Sequence, residues 1–322
     1  MLPPKDLITV CFAHVAYQMK QQFEARRTGI ACFEVRTKAE LAARIGEADV
    51  LSVSGLWDNA LIPDARRLRF IQSISAGTDQ YDRAALAGAG IRLASAAGVN
   101  ARAVAEHAMA LILALARRLP EARDNQAQRV WRGMIAEIGA REDELGGKTL
   151  LIVGLGRIGG RLAQLAKAFD MRVLATRRDP GAGAGAADRV GGTGDLADLI
   201  AQADYVALTC PLTAETTGLI SKATLSRMKP DAFLVNVARG RVVDEVALIA
   251  ALAKGRIAGA ALDCTVEEPL PDTSPLWTMP NVLITPHTAG ETRRYEDNVL
   301  DLLMENMERL WGGETVLRNQ VV

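Results

Sequence analysis

The chain has 322 residues, enough for about two domains, and its 49% hydrophobic and 24% charged residues are ordinary values for a globular protein. Its 38 Lys+Arg balance 38 Asp+Glu, so no net field recruits nucleic acid or an anionic membrane surface. No run of about 18 apolar residues suggests a membrane span, no signal peptide is evident, and the scattered Cys11, Cys32, Cys210 and Cys264 read as free thiols in a reducing cytoplasm, with no metal site.

In chain order, Leu7 to Phe12 reads as a strand, then a helix-prone run holds Met19 and Phe23, and Ile30 to Val35 is a second strand. Lys38 to Ile45 reads as a short helix and Asp49 to Val53 as a strand. Phe70 to Ile74 and Ile91 to Ala94 complete an alternation that points to a parallel sheet with helices on both faces. Ser54 to Trp57 follows the third strand, where Ser54 is a candidate substrate contact and Leu56 and Trp57 either face an apolar substrate group or pack. Ser73 to Asp82 (SISAGTDQYD) is a Ser/Ala/Gly turn after a strand, which is either a seat for a small anion on backbone N–H groups or an ordinary turn. Asn100 to Arg118 reads as one long buried helix that contains His107, a core or interface histidine, and Pro120 ends the run. Glu121 to Glu144 is polar with isolated Trp131, Met134 and Ile138, which suits an arm packed on another subunit or a surface loop.

Thr149 to Ala163 (TLLIVGLGRIGGRLA) is the most informative stretch. Leu150 to Val153 is an apolar run fit for a strand buried on both faces. Gly154, Gly156 and Gly159 then give G-x-G-x-x-G, followed by an amphipathic run. The first glycine makes a tight turn, the second lets the backbone approach a pyrophosphate, and the third lets helix pack on strand. The helix N-terminus faces the anion with its free N–H groups.

Met171 to Thr176 is the next strand, and it ends in Arg177 and Arg178 where an NAD-binding unit carries a carboxylate for the ribose. Two guanidiniums there favour the 2′-phosphate of NADP(H) over NAD(H). Pro180 to Gly194 is Gly/Ala-rich and reads as a flexible loop. Asp195 to Gln202 is a helix, Tyr205 to Thr209 a strand, Ala232 to Val237 a strand, Val243 to Ala253 a helix, Ile257 to Leu262 and Val282 to Ile284 strands, and Ala289 to Trp311 a closing helix.

Arg239, Asp263 and His287 each fall just after a strand, where ligands sit in such sheets. An Arg fork holds a carboxylate and polarises a neighbouring carbonyl. A His delivers a proton to an alkoxide near neutral pH, and a Glu such as Glu268 orients that ring. With a nicotinamide cofactor these residues suit reduction of a 2-keto acid.

The same residues carry a resemblance. SAGTDQYD (75–82), NARAVAEHAMALILALAR (100–117), GGKTLLIVGLGRIG (146–159), CPLTAET (210–216), LVNVARG (234–240), LDCTVEEPLP (262–271) and PHTAG (286–290) make the chain resemble the D-isomer-specific 2-hydroxyacid dehydrogenases along nearly its whole length. The resemblance implies two Rossmann-like or flavodoxin-like α/β domains with parallel sheets and an active-site cleft between them. It implies a discontinuous substrate-binding domain, 1–100 plus 289–322, and a dinucleotide-binding domain, 101–288. It implies a carboxylate site on Ala76 and Gly77 with Arg239, and His287 as acid/base with Glu268 as its partner. Cofactor contacts are implied from Leu155, Gly156, Arg157, Ile158, Cys210, Pro211, Val237, Ala238, Asp263 and Gly290. It further implies a cytoplasmic homodimer acting on small 2-keto or 2-hydroxy acids, and Arg177 points toward the glyoxylate and hydroxypyruvate reductases. The alternatives are an NAD-dependent dehydrogenase of another 2-hydroxy acid and a non-catalytic nucleotide sensor of the corepressor kind.

Overall fold

Alternating apolar strands and amphipathic helices produce two sheets in the computed structural model of the chain, which describes residues 2–322. The chain divides into two compact units, Met1–Asn100 with Thr292–Val322, and Ala101–Glu291.

In the first unit β1 (Thr9–Ala13), α1 (Met19–Ala25), β2 (Ala31–Val35), α2 (Lys38–Arg44), β3 (Val50–Val53), β4 (Phe70–Ser73), α3 (Arg83–Gly88) and β5 (Arg92–Ala94) follow one another. The sheet order is β2-β1-β3-β4-β5, and every pair is parallel. Side chains alternate across a strand, so Val10, Phe12, Val50 and Phe70 pack against Met19, Phe23 and the helix Tyr295–Trp311. Cys11, Ala13, Leu51, Val53 and Ile71 face the other way, onto Leu41, Ile45 and Leu86. The last residues complete this unit. Val321 N donates to Leu93 O at 2.7 Å and Ser95 N to Asn319 O at 3.0 Å. The Asn306 side chain donates to Gln72 Oε1 at 3.0 Å.

The second unit runs α4 (Ala101–Ala116), α5 (Leu119–Ala127), β6 (Thr149–Val153), α6 (Arg157–Ala168), β7 (Arg172–Thr176), β8 (Arg189–Gly191), α7 (Leu196–Ile200), β9 (Tyr205–Leu208), α8 (Lys222–Leu225), β10 (Phe233–Asn236), α9 (Glu245–Ala253), β11 (Gly259–Leu262) and β12 (Val282–Ile284). The order is β12-β11-β10-β9-β6-β7-β8, again all parallel. One face of the sheet (Leu150, Ile152, Val173, Ala207, Val235) packs on α4 and α6, and the other (Leu151, Val153, Leu174, Val206, Leu234) on α7 and α9.

One device recurs at the amino edges of both sheets. An aspartate beside a strand start exchanges two hydrogen bonds with the first residues of that strand. Asp49 N donates to Thr9 O while Asp49 Oδ2 accepts from Thr9 N at 2.9 Å. Asp204 does the same with Thr149, and Asp188 with Val173, where each carboxylate contact is 2.7 Å.

The parallel α/β architecture is as the sequence predicts, and most elements lie within a residue or two of expectation. Four details differ. The long helix ends at Ala116, and Pro120 lies in the first turn of α5 instead of terminating a helix, because its fixed φ and missing N–H suit that position. The closing helix, α10, starts at Tyr295, not at Ala289, because residues 288–295 close as separate turns, with Glu291 N donating to Thr288 O at 3.0 Å and Tyr295 N to Thr292 O at 3.1 Å. β8 lies inside the stretch read as a loop. It has only three residues, and Gly191 among them offers no apolar alternation. The short α8 is a further element that the sequence pattern does not announce.

Candidate active site

The glycine turn has the geometry its spacing predicts. Gly154 has φ +107°, and a Cβ there would stand 2.6 Å from Cys210 Cα. A Cβ on Gly159 would overlap Gly154 O and stand 2.9 Å from Ile152 Cγ2, so this glycine permits helix and strand to touch. A Cβ on Gly156 would meet nothing within 4 Å. That glycine caps α6 without a side chain, so open space lies before the helix N-terminus. β6 sits between β7 and β9, where the strand order reverses and ligands bind beyond the carboxyl ends. The turn fits a dinucleotide pyrophosphate on these grounds.

Arg177 and Arg178 leave β7 next to that turn. Arg177 Nη1 donates to Gly183 O at 2.9 Å and Ala182 O at 3.3 Å, which draws the following loop inward. Cys210 is buried beneath the turn, and burial pushes its thiol up to about 11, so it is an inert wall.

Three residues with polar chemistry follow β10, β11 and β12. Arg239 stands beyond β10, and its Nη1 donates to Ala238 O at 2.7 Å. The Asn236 side chain shapes that turn, since Oδ1 accepts from Ala238 N and Nδ2 donates to Arg239 O, both at 3.0 Å. Glu268 uses both oxygens. Oε1 accepts from Thr265 N at 3.0 Å and Oε2 meets His287 Nδ1 at 2.7 Å. A Cβ on Gly240 would overlap the Thr265 carbonyl, so only glycine lets the β10 turn and the Glu268 loop approach so closely.

His287 has φ +55°, a left-handed conformation that costs a non-glycine residue about 1–2 kcal/mol. Asp263 holds it there. Its Oδ1 accepts from the Thr285 hydroxyl at 2.6 Å and Thr288 N at 3.0 Å, and its Oδ2 from Ala289 N at 3.1 Å. His107 Nε2 lies 3.0 Å from Thr285 Oγ1, so the histidine in the long helix belongs to this network and not to an apolar core. Burial, followed by the Glu268 and Asp263 carboxylates, pushes the Cys264 thiol up, which removes it as a nucleophile.

In the first unit Ser54, Ala76 and Gly77 follow β3 and β4. Ser54 Oγ and Ser75 Oγ are 2.5 Å apart. Among the described residues neither Ala76 N nor Gly77 N donates a hydrogen bond, so both are free for an anion. Leu56 and Trp57 are core residues, with the indole donating to Asn59 Oδ1 at 2.9 Å, so they do not line a substrate surface.

The structure thus brings Glu268 and His287 together, sets Arg239 on an adjoining strand end, and gathers the glycine turn, Cys210, Pro211, Val237, Ala238 and Asp263 along one sheet edge. Leu155 is buried, Ile158 and Gly290 are half-buried, and Arg157 is exposed at the start of α6. Asn236 and Thr285 escape sequence reasoning, although a polar residue inside the apolar run LVNV is a usable signal for the first.

Residues 109–289 match the family model for the D-isomer specific 2-hydroxyacid dehydrogenase, NAD binding domain. The chain is 38% identical over 270 residues to glyoxylate/hydroxypyruvate reductase B of Pectobacterium carotovorum, covering 82% of each chain. It is 38% identical over 277 residues to D-3-phosphoglycerate dehydrogenase of Archaeoglobus fulgidus, covering 85% of this chain and 51% of that one, so it spans about half the length of that relative. It is similar to the crystal structure of TT0316 protein from Thermus thermophilus, with a TM-score of 0.84 and 33% identity over 98% of this chain and 100% of that one.

Proposed function

We propose that this chain, which belongs to the D-isomer-specific 2-hydroxyacid dehydrogenase family, is an NAD(P)-dependent oxidoreductase that reduces a small 2-keto acid of the glyoxylate or hydroxypyruvate kind to the D-2-hydroxy acid, with NADPH favoured over NADH. The observation that carries the catalytic part is the 2.7 Å pair of His287 Nδ1 and Glu268 Oε2 on the same sheet edge as the glycine turn.

The bound nicotinamide supplies the hydride. His287 gives its Nε2 proton to the carbonyl oxygen as C2 is reduced, while Glu268, fixed by Thr265 N, orients the ring and stabilises the imidazolium form. Arg239 holds the substrate carboxylate through the nitrogens not bound to Ala238. The free N–H groups of Ala76 and Gly77 are proposed as further carboxylate donors, with Ser54 beside them. Gly154 to Gly159 receive the pyrophosphate. The remaining cofactor contacts are assigned to Cys210, Pro211, Val237, Ala238, Asp263 and Gly290.

For the NADPH preference, Arg177 and Arg178 are the determinants. Among the described residues neither forms an ion pair, so their charge is available for a 2′-phosphate. Losing charge-assisted hydrogen bonds of about 1.5–3 kcal/mol raises KM for NADPH by roughly 10- to 100-fold in the Arg177→Ala, Arg178→Ala double variant, with little change for NADH. Oxidation of NADPH and NADH is followed at 340 nm with glyoxylate, hydroxypyruvate, pyruvate and phenylpyruvate. Equal or better wild-type rates with NADH overturn the NADPH assignment. Tight cofactor binding without turnover of any acid favours the sensor reading.

A further inference from the structure

We propose that His14 is a specificity-determining residue whose imidazole donates from Nε2 to an uncharged oxygen on C3 of the substrate, so that a hydroxymethyl keto acid such as hydroxypyruvate is preferred to its methyl counterpart. The assignment rests on the 2-keto acid reductase function proposed above.

Placement is the first argument. The first sheet has the order β2-β1-β3-β4-β5, so the order in which strands are laid down reverses between β1 and β3, while the strands stay parallel. In open parallel sheets ligands bind beyond the carboxyl ends at that reversal. Ala13 pairs with Val53, and Val53 with Ser73. His14, Ser54 and Ile74 are therefore the first residues beyond three aligned strand ends, each about 4.8 Å from the next. His14 and Ser54 flank the reversal itself, and the turn bearing Ala76 and Gly77 is one strand further.

Hydrogen bonding then fixes the proton. Nδ1 accepts from Ala16 N at 3.1 Å and Tyr17 N at 2.9 Å. A nitrogen that accepts carries no proton, so the neutral ring holds its proton on Nε2. Burial, and next the Arg36 guanidinium, hold the imidazole below its ordinary titration range, against an opposing pull from Glu296, so it is neutral at pH 7. Among the described residues Nε2 has no hydrogen-bond partner.

The donor is also rigid. Tyr17 stacks on the ring at 4.0 Å and 10°, and Tyr295 backs Tyr17 at 5.2 Å. Arg36 Nη1 ties the loop by donating to Tyr17 O at 2.7 Å and His14 O at 3.3 Å. A donor already fixed in place loses little entropy on binding.

Charge selects the acceptor. The segments beyond the strand ends, 14–18, 54–58, 74–80 and 95–99, contain no Lys or Arg, while Asp58 and Asp79 lie in them. Arg36 is held by Glu34 at 2.7 Å, and Arg83 donates to Thr78 Oγ1 at 3.1 Å. A phosphate or second carboxylate on C3 finds no dedicated counter-charge there, whereas a hydroxyl finds a neutral donor.

His14→Leu and His14→Gln are compared with wild type for kcat/KM on hydroxypyruvate and pyruvate with NADPH. Loss of one hydrogen bond lowers the hydroxypyruvate value roughly tenfold, about 1.4 kcal/mol, in His14→Leu and leaves pyruvate within about twofold. His14→Gln, which keeps an N–H near the same place, retains most of the preference. An unchanged hydroxypyruvate/pyruvate ratio in His14→Leu, or equal losses on both acids, overturns the proposal. Wild-type protein with labelled histidine and bound NADP⁺ gives a readout independent of turnover. The His14 Nε2 resonance shifts with D-glycerate and not with D-lactate. No shift with either product overturns the role of His14, even if the chain proves to be a reductase. Failure to reduce any acid, by contrast, counts against the proposed function alone.

Discussion

Glu268 reaches His287 from a loop that closes under Gly240, and its two oxygens serve two different partners, Thr265 N and His287 Nδ1. At 2.7 Å from His287 Nδ1, Glu268 fixes the ring of the proposed proton donor. Replacing His287 by Ala is expected to lower turnover by roughly 10²-fold or more, the usual contribution of a general acid. Steady-state rates with NADPH check this, and unchanged turnover would falsify the acid/base role. Arg239 and His287 stand out as candidates in the sequence because each follows a strand within three residues, and Glu268 because it lies in a short acidic motif, EEPLP, in the loop after β11. Asn236, Thr285 and His14 do not, because their roles depend on partners. His107 meets Thr285 across 178 positions of the chain, and no spacing rule reaches that far. Leu56 and Trp57 stayed open in the sequence for a related reason, since an apolar side chain past a strand end reads the same in a core as in a pocket.

At the scale of elements, the short apolar runs that identify β1, β3, β6 and β9, buried on both faces of their sheets, are a local property, so these strands are visible in the residues themselves. β8 is not, because its three residues, Arg189 to Gly191, contain no such run. What holds it is Asp188, whose carboxylate accepts from Val173 N at 2.7 Å and pairs with Lys167 at 3.0 Å. The Val173 N–H, and then Lys167, hold this carboxyl below the usual carboxylate range. A depressed folded pKa adds stability above the unfolded value, and that stability is lost as pH falls through the folded one. Asp188→Asn should therefore lower the melting temperature at pH 7, with a difference from wild type that shrinks below about pH 4. Thermal melts across pH 3 to 7 test this, and a pH-independent difference would show that Asp188 acts by packing alone. The contact is more than a third exposed, so the effect is small beside the loss of a core residue.

At the scale of the whole molecule, residues 121–144 stand out for what they leave uncovered. Trp131 is 99% exposed and Met134 102%, with Ile138 at 77%. Large apolar side chains so fully exposed on one segment mark an interaction surface, and we propose that the arm packs on a second copy of the chain. Trp131→Glu with Met134→Glu should shift the mass in solution from dimer to monomer by light scattering, and a wild-type monomer at micromolar concentration would sink the idea. The first unit depends in another way on distant sequence. Tyr295 bonds Ile74 O, Asn306 bonds Gln72, and residues 319–322 pair with Leu93 and Ser95. A chain ending at Val316 should melt well below wild type and be cut first within 1–100 by a trace of protease. The ribosome makes these parts in the reverse of a convenient order. Residues 101–291 can close their sheet while the first hundred residues, made earlier, still wait for α10 and the strip behind β5. Until residue 322 clears the exit tunnel, β5 presents an unpaired edge to the cell.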